Sequence, residues 1–94
     1  MTEEQLALAL DMVKKRLSRL DAALDDYLRA RIRASYDEMA GWGIHPDLSK
    51  SGDLMFLTDL AVLRYSQRDD SAGDPRWLIK RRNDRWLQER RDPA

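Results

Sequence analysis

DLMFLTDLAVLRY, residues 53–65, is the stretch that decides the fold of this 94-residue chain. Nine of its thirteen residues are apolar, and they fall on nearly every side of a helical wheel. A helix that is apolar all round is normally buried on all sides. Since a bilayer crossing needs ~20 such residues, the stretch predicts a central helix covered by other helices of the same chain or of a neighbour. We expect Thr58, Asp59 and Arg64 to mark the narrow side where this helix meets water or a partner.

Length and composition predict one domain covering residues 1–94. A chain of this size buries only ~60–65% of its unfolded surface, so self-association would add useful stability. The absence of cysteine excludes disulfides and thiolate metal sites. No apolar run at the start resembles a signal peptide, so we expect an intracellular, soluble protein with no membrane partner.

Charge is distributed unevenly along the chain, although the formal net charge is zero. Residues 1–74 carry ten lysines and arginines against fourteen acidic residues, a net charge of −4. Residues 75–94 carry seven against three, a net charge of +4. The asymmetry bears on contacts rather than on fold, and it predicts an acidic body that carries a basic tail.

Two helices are predicted before the central one. The first covers about residues 3–19 and starts with a capping box formed by Thr2 and Gln5. Its apolar residues recur at steps of three and four and line one face: Leu6, Leu10, Val13, Leu17 and Leu20. The second is predicted to have Asp21 as its N-cap and Gly41 in the left-handed position just past its end. Its predicted buried face consists of Leu24, Leu28, Ile32, Tyr36 and Met39.

The longest irregular stretch predicted is residues 43–52, GIHPDLSKSG. Its composition is polar and turn-forming. Ile44 and Leu48 are expected to attach it to the core, and either Ser49 or Ser51 is expected to cap the central helix.

A basic C-terminal helix is predicted over residues 75–92. Asp74 followed by Pro75 is a strong helix start, because proline suits the first helical position. Two apolar patches, Trp77-Leu78-Ile79 and Trp86-Leu87, lie about two turns apart among seven cations. The fold class predicted is therefore all-α, a small bundle of about four helices with a basic C-terminal helix and no sheet.

The sequence shows no convergent set of reactive groups. His45, the one histidine, precedes a proline in a predicted loop, and no serine or cysteine motif accompanies it. Adjacent carboxylates at Asp25-Asp26, Asp37-Glu38 and Asp69-Asp70 diverge by about 100° on a helix and do not converge on a metal. We therefore predict no enzymatic activity, no cofactor and no metal.

The basic helix is the predicted association surface. Tryptophan and arginine dominate protein–protein contacts. The hypothesis is that the apolar residues fix this helix to its own body or to a neighbour, and that nearby arginines steer the register. The association residues are Trp77, Leu78, Trp86, Leu87, Arg81, Arg82 and Arg85, and the candidates for phosphate contact are Lys80, Arg90 and Arg91. The alternative is a solvated face whose charges pair along the helix, Lys80 with Asp84 and Arg85 with Glu89.

The order of these parts resembles the phage head-tail connector proteins, also called adaptor or head completion proteins. The likeness covers residues 10–91, from a short leading helix (DMVKKRL) through a long one (LDAALDDYLRARIRASYDEMAG) to a proline-started basic tail (DPRWLIKRRNDRWLQERR). The chain departs from the pattern in the capped turns before Asp11 and in the second tryptophan, Trp86. The positions that carry the resemblance are Leu24, Asp26, Ile32, Leu60, Tyr65, Arg68, Pro75, Trp77 and Leu78.

The resemblance implies a non-enzymatic virion part of a phage or prophage. Copies would form a homo-oligomeric ring beneath the portal protein, pass DNA through the lumen after packaging, and receive a tail-side completion protein. The implied location is the head-tail junction of the virion, and the host cytoplasm during assembly. Near-zero net charge suits a conduit that does not bind DNA tightly, because each neutralised phosphate adds affinity.

Two other classes of protein share the composition. A small helical DNA-binding regulator would use the basic helix for recognition, but a short helix-turn-helix connection before Pro75 is not evident. An antitoxin-like interaction module is the second alternative.

Overall fold

The structure is a computed structural model that describes residues 1–18, 21–67 and 73–91. Four α-helices and no β-strand occur in this part of the chain, which confirms the predicted all-α fold. The helices are α1 (Glu3–Arg16), α2 (Asp25–Gly41), α3 (Ser51–Ser66) and α4 (Arg76–Arg91). Some residues named in the sequence analysis lie outside the described residues: Leu20, Arg68, Asp69 and Asp70, together with residue 92, the predicted end of the basic helix.

The central helix is α3, as predicted. It lies against both α1 and α2, and these two helices also contact each other. Its buried residues lie on several sides of the helix: Leu54, Phe56, Leu57, Thr58, Leu60 and Ala61. Thr58 was expected on the polar side, but it is 2% exposed and its hydroxyl donates to the Met55 carbonyl at 3.1 Å. The burial of Thr58 is possible because that bond satisfies its polar atom.

The core is completed by one face of each neighbouring element. Leu6, Ala9, Leu10 and Val13 come from α1, and the predicted face of α2 supplies Leu28, Ile32 and Met39. Leu24 and Tyr36 are half-buried and pack against this cluster, as Leu17 does. The loop between α2 and α3 contributes Ile44 and Leu48, which confirms its predicted attachment to the core. No helix among the described residues has the length and apolar character needed to cross a membrane.

The predicted start of α1 is confirmed, and its predicted end is wrong. Thr2 Oγ1 accepts from the Gln5 amide at 3.1 Å, and Gln5 Oε1 accepts from the Thr2 amide at 2.9 Å. The helix stops at Arg16 rather than near residue 19. Ser18 has φ +55°, a left-handed conformation that ends a helix.

Both predicted caps of α2 are displaced along the chain. Leu24 is the N-cap and makes no side-chain capping bond, so Asp21 is not the cap. Asp21 Oδ1 instead accepts a backbone amide two residues on, at 3.2 Å, in a local turn that competes with helix. Gly41 is still helical, and the left-handed residue past the end is Gly43 with φ +82°.

Neither predicted serine caps α3. Its N-cap is Lys50, which makes no side-chain capping bond. Ser49 is engaged with Asp47, whose Oδ1 accepts from the serine amide at 3.0 Å and from the hydroxyl. The Asp47 amide in turn donates to Asp53 Oδ2 at 2.8 Å, so the loop closes on the first turn of α3 through a carboxylate.

Candidate interaction surface

The apolar attachment of the basic helix α4 to the body is made by one buried side chain. Among its described residues only Leu78 is buried, at 0% exposure, and it joins the core cluster. The helix begins one residue later than predicted, because the Pro75 carbonyl accepts the amides of Leu78 and Ile79 at 3.1 and 3.2 Å. Leu78 therefore fixes α4 to the body of its own chain, which is one of the two alternatives in the sequence hypothesis.

Arg85 makes the most complete polar contact between α4 and the body. Its Nε and Nη2 donate to the two carboxylate oxygens of Asp53 at 3.0 and 3.2 Å, a bidentate pair. Nη2 also donates to the His45 carbonyl at 3.1 Å, and Nη1 to Glu89 at 2.7 Å. The hydrogen bonds to Asp53 raise the pKa of Arg85 against the opposing effect of burial. The predicted pair Arg85–Glu89 is confirmed.

Glu89 connects α4 to the loop that follows α2. Its carboxylate accepts the His45 amide at 3.3 Å and lies 3.2 Å from His45 Nδ1. Burial alone would raise the pKa of Glu89, but the bonds from the His45 amide, Arg85 and the His45 ring outweigh it and lower the pKa. The histidine therefore has a structural partner on α4.

Arg81 reaches the central helix. Its Nη1 donates to Asp59 Oδ2 at 2.6 Å, and its guanidinium lies 4.7 Å from the centroid of the Phe56 ring. The Trp77 ring is 5.8 Å away, within cation–π range. The other oxygen of Asp59 accepts from Arg16 of α1, so this carboxylate joins three helices.

Arg82 lies over the end of α2 and beside the start of α4. Its guanidinium is 5.1 Å from the Trp42 ring, and Nη1 is 3.4 Å from Asp74 Oδ2. Asp74 also accepts from Arg64 of α3 at 2.9 Å, and Arg64 binds both carboxylate oxygens of Glu38 on α2. The bonds to Glu38 raise the pKa of Arg64 against the opposing effect of burial. Asp59 and Arg64 were expected where α3 meets water or a partner, but their side chains are only 20% and 18% exposed and pair with other helices of the same chain.

The two tryptophans of α4 flank the helix and are partly covered by their own chain. Trp86 is 37% exposed, and a β-carbon built on Gly43 would lie 3.5 Å from its Nε1, so the indole packs on that turn. The Arg90 guanidinium is 4.5 Å from the Trp86 ring. Trp77 is 40% exposed beneath Arg81.

The remaining side of α4 faces away from the body and is called here the outer face. It comprises Arg76, Ile79, Lys80, Asn83 and Leu87, with Asp84 and Arg91 at its edge. Ile79 is 38% and Leu87 45% exposed. Within the described residues, no ion pair forms at Arg76, Lys80 or Arg91, so the alternative pair Lys80–Asp84 does not form.

The structure therefore divides the predicted association residues into two groups. Leu78, Arg81, Arg82 and Arg85 face the body and contact it, whereas Leu87 lies on the outer side and Trp77 and Trp86 are partly exposed at the flanks. Of the candidates for phosphate contact, Lys80 and Arg91 lie on the outer side and Arg90 lies over the Trp86 ring. The carboxylates Asp53, Asp59 and Asp74 are partners of the three arginines that were not predicted from the sequence. One sequence feature could have indicated two of them: Asp53 and Asp59 are the only acids of α3, a helix whose residues are mostly apolar.

No group of three potential metal ligands from histidine, cysteine, aspartate and glutamate occurs among residues 1–18, 21–67 and 73–91. Comparison of the chain with protein-family models, curated proteins and solved structures gave no match. The fold and the surface chemistry are therefore the observations from which we infer a function.

Proposed function

We propose that this chain is a structural, non-catalytic part of a phage or prophage virion. It acts as a head-tail connector, also called an adaptor or head completion protein, and assembles as a ring beneath the portal. The ring joins capsid to tail, binds portal protein on one side and a tail-side completion protein on the other, and leaves a lumen for DNA. It works at the head-tail junction of the virion and is present in the host cytoplasm during assembly.

The observation that carries the proposal is the outer face of α4. Its inner side is fixed to the body by Leu78 and by the pairs Arg81–Asp59 and Arg85–Asp53, so the outer face is held in one orientation. Exposed Ile79 and Leu87 lie on it beside Arg76 and Lys80, two cations that form no ion pair within the described residues. A face of this composition suits a protein contact, where apolar residues provide affinity and charges set the register.

Ring assembly requires two different, complementary surfaces on each subunit. The outer face of α4 is cationic, and residues 1–74 have a net charge of −4, of which the pairs with Arg81, Arg82 and Arg85 offset three charges. A head-to-tail contact in which α4 of one subunit lies on the body of the next would therefore be electrostatically favourable. Three residues that carry the resemblance to connector proteins, Ile32, Leu60 and Leu78, are each 0% exposed and belong to one core cluster.

The proposal is tested by measuring assembly on portal rings encoded in the same genome. Mixing the purified chain with those rings should give a defined added mass in mass photometry, from which the copy number follows. Leu87→Asp places a charge on the outer face and should weaken this assembly by at least ~10-fold, since it removes an apolar contact worth about 1.5 kcal/mol or more.

The matched control is Leu8→Asp, because Leu8 is a leucine of α1 with a similar exposure of 50%. It should leave binding to portal rings unchanged, and circular dichroism should show equal helical content in both variants. Absence of any complex with portal rings, or an equal loss in the two variants, would contradict the proposal. Trp86→Ala should also weaken assembly while retaining helical content, and if that variant unfolds, Trp86 is a core residue.

A further inference from the structure

A second surface, formed by α1 and α3, carries exposed apolar residues that the connector proposal does not use. Leu8 is 50% exposed on α1, and Met12 follows one turn later on the same side. Met55 of α3 is 52% exposed, and it lies beside Met12 in a groove between the two helices. The groove is lined by Met12, Lys15, Arg16, Met55, Thr58 and Asp59.

The two ends of α1 have opposite charge. Glu3 and Glu4 lie in its first turn, and Lys14, Lys15 and Arg16 in its last. Glu4 is exposed and has no cation partner among the described residues. Arg16 is 53% exposed at its side chain and shares its one carboxylate, Asp59, with Arg81. The cationic rim of the groove can therefore accept a further carboxylate, and a free one exists at the other end of the same helix.

We infer that this groove binds α1 of a second copy of the chain, in an antiparallel pair about a two-fold axis. The register that places Leu8 opposite Met12 of the second copy also places Glu4 opposite its Arg16. Each copy thus provides both the groove and its occupant, as an isologous contact requires. Methionine side chains suit such a contact, because they adapt their shape to an incoming apolar residue.

This pair is a form of the free protein and goes beyond the proposed function. A two-fold contact is closed, so it cannot continue round a ring, and it leaves the outer face of α4 unused. The surface that two helix faces can bury is small, and interfaces below ~1,200 Å² are typical of weak, transient association. The dimer is therefore expected in concentrated solution of the free chain.

Sedimentation equilibrium of the full chain tests the inference. Chain concentrations from about 10 to about 500 µM cover the range expected for a weak dimer. The wild type should show a reversible monomer–dimer equilibrium. Leu8→Asp should raise the dissociation constant of the dimer at least ~30-fold, because both copies place the substituted residue in the contact. Leu87→Asp, the matched change on α4, should leave the dimer intact. A wild type that stays monomeric, or equal weakening by both variants, overturns the inference.

The register is tested by disulfide cross-linking, for which the absence of cysteine makes the chain convenient. A mixture of Leu8→Cys and Met12→Cys chains should cross-link into a heterodimer under mild oxidation, and each variant alone should cross-link much less. Preferential cross-linking within the Leu8→Cys chain alone would indicate a parallel pair and overturn the proposed arrangement. The result is independent of portal binding, so the two proposals fail separately.

Discussion

Leu78 is the one residue through which α4 joins the hydrophobic core. Its side chain is 0% exposed, whereas the other large apolar residues of the helix, Trp77, Ile79, Trp86 and Leu87, are each exposed by more than a third. Buried apolar area is the main favourable term in folding, at ~25 cal/mol per Å². The apolar attachment of α4 is therefore concentrated at a single position, which makes substitution there informative.

Leu78→Ala should lower the free energy of unfolding by about 2–4 kcal/mol, because it leaves a cavity beneath α4. Urea unfolding followed by circular dichroism measures the change. Leu87→Ala removes the same atoms from a side chain that is 45% exposed and should cost ~0.5 kcal/mol or less. A loss of similar size in both variants would show that α4 is not attached through Leu78.

Glu89 makes stability depend on pH through its contacts with Arg85 and His45. Its pKa in the folded chain is lowered from the ordinary value of 4.5, so ionised Glu89 stabilises the fold above that pH. The contribution is lost as pH falls through the lowered value. Glu89→Gln should cost roughly 0.5–1 kcal/mol at pH 7, the range of partly exposed ion pairs, and less near pH 3, where part of the contribution is lost.

The measurement is urea unfolding of wild type and variant at both pH values. Asp84→Asn is the control, since Asp84 is an exposed acid of the same helix that has no cation partner among the described residues. Its stability should differ little from that of the wild type at either pH. Equal destabilisation by Glu89→Gln at pH 7 and pH 3 would show that its charge is not the cause.

At the scale of elements, the existence and order of the four helices could be predicted from the spacing of apolar residues. The central position of α3 followed from its all-round apolar character, and the faces of α1 and α2 followed from their periodicity. The helix ends were less predictable. Asp21 and Ser49 are good capping residues, but each is engaged in a local turn that competes with capping.

The contacts of α4 could be predicted only where they are local. Arg85–Glu89 was predicted because the residues are four apart on one helix. Arg85–Asp53 and Arg81–Asp59 join residues 32 and 22 positions apart, and no spacing rule connects them. Lys80–Asp84 has the favourable spacing but does not form among the described residues, since exposed pairs gain little and lose side-chain entropy.

The attachment of α4 combines one buried leucine with arginine–carboxylate pairs, and this predicts a salt effect confined to one helix. Screening at ~1 M salt shortens the Debye length to about 3 Å and weakens the arginine–carboxylate pairs. A detached helix of this length is only marginally stable in water, so its amides should exchange faster. Hydrogen exchange in α4 should rise roughly 3- to 10-fold between low and ~1 M salt, while α2 changes little.

Two variants examine the cause of this effect. Arg85→Gln removes the bidentate pair with Asp53 and should speed exchange in α4 already at low salt. Lys80→Gln removes a cation of the outer face and should not. Exchange that rises equally in α2 and α4, or an equal response to both substitutions, would show that the arginine pairs do not hold the helix.

At the scale of the whole molecule, the charge that is separated along the sequence is partly recombined by folding. Three cations of the tail, Arg81, Arg82 and Arg85, are paired with acids of residues 1–74, so they are occupied within the chain. The hypothesis that these three steer contacts between subunits remains a prediction. The outer-face cations Arg76 and Lys80 are better placed for it, since they point away from the body.

The same pairing reduces the number of cations that can bind phosphates, and it predicts weak contact with DNA. Three cations on the outer side form no ion pair with a described residue: Arg76, Lys80 and Arg91. A short duplex should therefore bind only in the non-specific range, with a dissociation constant of ~1–100 µM at physiological salt and no sequence preference. Weak binding of this kind suits a conduit, because DNA must pass without being retained.

Fluorescence anisotropy with two unrelated duplexes of equal length measures this contact over a range of salt. Combining Lys80→Gln with Arg91→Gln should reduce the slope of log affinity against log salt by about two, one for each phosphate contact removed. Combining Arg81→Gln with Arg85→Gln is the matched control and should change the slope little, because those cations face the body. Nanomolar binding to one duplex alone would instead favour the DNA-binding regulator over the connector, since sequence discrimination requires base contacts that a conduit has no use for.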